Sequence, residues 1–137
     1  MILRRIGAVL LGLIVAVIIV QAAEYCVHLM YPPPPGTNMR DMNAVKVFVA
    51  TLPTAAFVIV LAGWLVATLV GTYVAARIAR TVYAGYFVGG LLLGGAIANA
   101  YFIPQPVWFS VVSFFVYISM TLLGSRAARA AVPSPAG

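Results

Sequence analysis

The sequence predicts an all-α integral membrane protein: a four-helix bundle carrying a short outer interfacial helix and a proline-rich loop. Three observations carry this. Of 137 residues, 64% are hydrophobic and only 7% are charged, against about a quarter charged in a soluble domain, so a water-facing surface could not be covered. The apolar residues fall into four runs, each near the ~20 residues that a helix needs to cross a bilayer. The basic residues cluster at the ends of those runs, as Arg4/Arg5, Arg77/Arg80 and Arg126/Arg129.

The first span is read as 6–30, opening behind Arg4 and Arg5. Its start also fits a signal peptide loosely, with a small-x-small site at Val20–Gln21–Ala22, although the apolar run is long for one. Cleavage there would remove this helix and leave the orientation of the later spans unchanged. Near its end stand Gln21, Glu24 and His28, at i, i+3 and i+7, and therefore on one helical face. Glu24 is one of only two acidic residues and His28 is the only histidine. Charge is costly beside hydrocarbon, so this face is expected to look into protein or a wet pocket.

Pro32–Pro35 must leave the helix, because proline lacks the amide donor and its ring clashes with the preceding carbonyl. A stiff polyproline stretch is expected there, with Gly36 and Asn38 permitting a turn. Docking of this proline run on an aromatic-lined module is the less economical alternative to a rigid surface loop. From Met39 to Leu52 polar and apolar residues mix, and Asp41 or Asn38 is placed to cap a helix. This segment is read as an interfacial helix or an early extension of the second span.

The second span is placed at 53–76. Gly63, Ala67, Gly71 and Ala75 recur every four residues, a spacing that lets helix backbones approach closely. Thr68 and Thr72 flank that stripe, and Trp64 sits near mid-span as a packing residue. The third span, 81–100, carries Gly85, Gly89, Gly90 and Gly94, four-residue pairs on two faces, and is expected to be central in the bundle. The glycine pairs lie inside an apolar run with no lysine after them, so a phosphate loop is not inferred. The fourth span, 106–123, puts Ser110, Ser113, Tyr117 and Thr121 on one face, which should look inward. The membrane domain is thus drawn at 1–124, with 125–137 as a flexible cytoplasmic tail that frays.

Orientation follows from the basic residues. Six of the eight lie at the N-terminus, the turn after the second span and the tail, which puts both termini inside. In a bacterial cell the chain would sit in the inner membrane with its proline loop in the periplasm. The net charge of +6 is read as this topology signal and not as a nucleic-acid surface, since no basic face with interleaved aromatics occurs. The lone cysteine, Cys26, excludes an internal disulfide and a cysteine-based zinc cluster.

The candidate proton or ion site is the group expected to converge at the outer end: Gln21, Glu24 and His28, with Asn99 from the third span and Asp41 from the loop. Thr51, Thr54 and Gln105 stand near the same level. Glu24 and His28 at i and i+4 could share a divalent metal with a third ligand from Asp41, but two ligands are too few to define a site, so no metal and no cofactor is expected. No nucleophile and base pair is evident, so the chain is not read as an enzyme. The leading expectation is a non-enzymatic accessory or assembly subunit, associating through its small-residue faces with itself as a homo-oligomer or with a partner membrane protein. The alternative is a small oligomeric proton- or cation-coupled transporter or channel that uses Glu24.

Overall fold

The computed structural model describes residues 2–38, 40–103 and 105–131. These form five helices: α1 (Ile2–Met30), α2 (Met42–Ala50), α3 (Thr54–Ala79), α4 (Val82–Phe102) and α5 (Val107–Ala131). Four of them, α1, α3, α4 and α5, are long and apolar enough to cross a membrane. Large apolar side chains such as Ile14, Ile18, Phe87, Ile97 and Phe115 lie exposed on the outside of the bundle, where lipid is the only solvent that suits them.

The bundle is arranged around α3, which packs against α1, α4 and α5. This corrects the expectation that the glycine-rich third span is central. The reason lies in which small residues meet a partner. On α3, Ala67, Gly71 and Ala75 face Ala8, Gly12 and Ala16 of α1, all six buried. A β-carbon on Gly71 would stand 2.8 Å from the Gly12 carbonyl oxygen, and one on Gly12 would stand 2.6 Å from the Gly71 oxygen. Gly63 meets the Ala23 methyl in the same seam. On α4, Gly85 and Gly89 receive Ser125 and Thr121 of α5, but Gly90, Gly94 and Gly95 have no atom within 4 Å of where a side chain would begin. Only one of the two glycine faces of α4 is therefore used inside the subunit.

The threonine hydroxyls on the buried faces bond along their own helices, whereas Ser125 Oγ is buried without a partner among the described residues. Thr68 Oγ1 donates to the Trp64 carbonyl at 2.8 Å, Thr72 Oγ1 to Thr68 at 2.6 Å, and Thr121 Oγ1 to Tyr117 at 2.6 Å. Ser113, Tyr117 and Thr121 are buried, so the polar face of α5 does look inward. That face runs further than expected. α5 continues to Ala131, and Ser125 and Ala128 are fully buried, so a frayed tail does not begin at 125. Ser125 holds its place because Gly85 opposite leaves room for it. Residues 132–137 of the expected tail lie outside the described residues.

The connections follow local chemistry. Residues 31–38 are not helical. Thr37 N–H donates to the Pro34 carbonyl at 3.1 Å across Pro35 and Gly36, and Gly36 has a φ of 85°, as the third residue of a type II turn requires. Asp41 caps α2 by accepting from Asn43 N–H at 3.0 Å. α3 ends at Arg80 in the left-handed region, with a φ of 59°, and Thr81 caps α4. At the same end, Arg4 Nε donates to the Ile78 carbonyl at 2.8 Å. The up-and-down order of the four long helices brings the three arginine pairs together at this end of the bundle and leaves the α2 segment at the opposite, distal end.

A distal cavity around Glu24

At the distal end the helices splay around a cavity of about 250 Å³. Every helix contributes to its lining. α1 supplies Glu24, Val27 and His28, and α2 with its C-terminal extension supplies Val45, Phe48, Val49 and Leu52. α3 gives Ala56, Phe57, Val60 and Trp64. Asn99, Ile103, Gln105 and Phe109 close the side formed by α4, α5 and their turn.

Glu24 reaches this place because α1 is longer than a bilayer requires. Its 29 residues extend about 43 Å at 1.5 Å each, against ~30 Å of hydrocarbon. The last turns stand at the membrane boundary, where a carboxylate and an imidazole are tolerated. Glu24 is half-buried and His28 is exposed at the rim, with its ring 6.1 Å from that of Phe48. Asn99 Nδ2 lies 3.5 Å from Gln105 Oε1, and Gln105 Nε2 donates to Ser110 Oγ at 2.8 Å. This amide chain fixes the turn between α4 and α5 and includes neither Glu24 nor His28.

The floor is aromatic. Ring centroids of Phe57 and Phe109 lie 5.3 Å apart, those of Trp64 and Phe109 5.1 Å, and those of Trp64 and Tyr117 5.7 Å. Trp64 is only 6% exposed, and its indole Nε1 is buried with no hydrogen-bond partner. Below this level the small-residue seam of α1 and α3 closes the bundle.

The structure thus brings Glu24, His28 and Asn99 together with Gln105, and leaves two expected members out. Gln21 lies a turn deeper than Glu24, exposed on the outer surface of α1. Asp41 caps α2 and lines a separate loop pocket with Thr51, so it is not available as a third ligand beside Glu24 and His28. Among the described residues no three His, Cys, Asp or Glu side chains come together. Thr54 does not reach the lining either. The inner face of α2 was missed, although Val45, Phe48, Val49 and Leu52 stand at i, i+3, i+4 and i+7, the spacing of a helix face that packs.

The α2 segment covers one side of the cavity with side chains alone: no Cα of α2 comes within 8 Å of a Cα in another helix. The fold and this site define a class, a small multi-pass helical membrane protein with a half-buried carboxylate in a distal cavity. Comparison with family models, curated proteins and solved structures finds no match to the chain.

Proposed function

We propose that the distal cavity is the working site of a small, non-enzymatic transport protein, with Glu24 as the group that couples proton or cation movement to it. The observation that supports this is the cavity itself: it reaches Glu24 and His28, where a sealed contact between the two would have marked a structural pair. An ionisable residue at the end of a spanning helix that faces a cavity fits the mouth of an ion or solute pathway. In this reading both termini are cytoplasmic in an inner membrane, because the arginine pairs gather at one end, and the cavity faces outward under an interfacial α2. The bundle is closed below Trp64, so passage calls for a second copy or a partner helix.

The test is proton- or cation-dependent flux in proteoliposomes. Glu24→Gln is expected to abolish it while the fold, read by thermal melting, is retained. Undiminished flux in that variant removes Glu24 from the mechanism.

A second reading has one observation in its favour. Gly63, Gly71, Gly85 and Gly89 are all occupied within the subunit, but Gly90, Gly94 and Gly95 on α4 are not. That open patch suits an accessory or assembly subunit docking another membrane helix. The mass of the intact particle after gentle extraction decides it: a stoichiometric second protein supports the accessory role, and a lone chain or a pure homo-oligomer counts against it.

A further inference from the structure

We infer that the ligand of the distal cavity is a lipophilic organic cation, an ammonium group on an aromatic or aliphatic body. The inference rests on the reading that this cavity is the working site, and it names what the site would take.

Four classes of occupant can be set against the lining. An anion would meet Glu24 across a low-dielectric space, with no arginine or lysine in the wall to balance it. A neutral hydrocarbon would suit Phe57, Val60 and Phe109 but would cover the carboxylate with apolar matter, with only the rim imidazole of His28 beside it, which is costly. A bare metal ion would have to exchange its water for protein ligands, and hard cations take six or more oxygens. The wall provides one carboxylate, the rim imidazole of His28 and two amides, and those amides are already engaged with each other and with Ser110. No cluster of three His, Cys, Asp or Glu lies among the described residues.

An organic ammonium meets each feature. Its charge is spread over alkyl groups and weakly hydrated, so entry is cheaper than for an inorganic ion. Its charge pairs with Glu24, and its body lies on the aromatic floor, where ring faces also attract cations. Phe57, Phe109 and Trp64 form a continuous set of rings at 5.1 to 5.3 Å spacing.

The route in is set by α2. Because that helix touches the bundle through side chains only, displacing Phe48 and Val49 uncovers the cavity without breaking a backbone contact to another helix.

The probe is labelled benzyltrimethylammonium, with binding measured by equilibrium dialysis on the full chain in zwitterionic nanodiscs against empty nanodiscs. Saturable one-site binding is expected, weakened tenfold or more in Glu24→Gln. The carbon isostere neopentylbenzene, of the same shape without the charge, is expected to compete at least tenfold less well against the wild-type chain, a comparison that needs no variant. With Trp108→Phe in place, Trp64 is the only tryptophan, and its emission should change on saturation. Absence of saturable binding, equal binding to Glu24→Gln, or equal competition by the neutral isostere overturns the inference. If Glu24-dependent proton or inorganic cation flux persists while benzyltrimethylammonium fails to bind, only the ligand class falls. If Glu24→Gln changes neither flux nor binding, the reading of the site falls with it.

Discussion

Replacing Gly71 by alanine tests the seam that holds the bundle together. The added methyl would stand 2.8 Å from the Gly12 carbonyl oxygen and 2.9 Å from the Ala16 β-carbon. Carbon contacts are comfortable at about 3.5–4.0 Å, so α1 must retreat by roughly 0.6–1 Å. A gap of that size forfeits about a quarter to a half of each dispersion contact along the seam. No flexible side chain can give way, because both obstacles are backbone or β-carbon. Overpacking of this kind costs about 1–3 kcal/mol. Gly94→Ala is the control: nothing lies within 4 Å, and removal of a helical glycine gains about 0.5–1 kcal/mol. Unfolding in mixed micelles of rising SDS fraction, followed by tryptophan emission, should separate the two variants by about 1.5–4 kcal/mol. Gly12→Ala combined with Gly71→Ala should cost less than the sum of the single changes, since helices already parted accept the second methyl more easily. A Gly71→Ala chain as stable as Gly94→Ala would refute the close approach of α1 and α3.

Other perturbations read other parts of the account. Trp64→Ala opens a void beside Phe109 and Tyr117 and should cost about 3–5 kcal/mol. Trp64→Phe, which removes the unpartnered N–H and keeps most of the ring, should cost less than about 1.5 kcal/mol in the same assay. Asp41→Ala removes the α2 cap, worth about 1 kcal/mol, and should speed amide exchange in α2 about fivefold with the spanning helices unchanged. Unaltered exchange would mean the cap does not hold the helix. Arg80→Gly relieves a left-handed non-glycine cap and should raise stability by up to about 1 kcal/mol in the micelle assay. A loss there would show that the arginine side chain matters more than its backbone.

The four spanning helices were legible because each is a run of apolar residues closed by charge or proline, and that pattern is local. Their ends were less so. Ser125–Ala131 reads as a polar, alanine-rich tail, yet Ser125 and Ala128 are buried, because α4 offers Gly85 opposite and membrane helices pack through small residues. The same rule made the Gly63–Ala75 stripe of α3 visible, while its complement on α1, Ala8, Gly12 and Ala16, was passed over among bulkier neighbours. Small residues alone did not show which glycines of α4 meet a partner: Gly85 and Gly89 do, Gly90 and Gly94 do not. At the distal end, Glu24, His28, Asn99 and Gln105 were legible as a level in the membrane. The cavity was not, since it depends on α2 folding back over that level. Asp41 was drawn into the site by its charge, but the sequence also offered it as a helix cap, and that is the role it takes before Met42.

The most direct measurement is the reactivity of position 24 toward a membrane-impermeant maleimide. In a Cys26→Ala background, Glu24→Cys should react from the side opposite the termini without permeabilisation, while Ala16→Cys, fully buried in the seam, should stay inert. A cysteine at 24 that stays unlabelled, or that labels only after the membrane is opened, would contradict an outward cavity built around this residue.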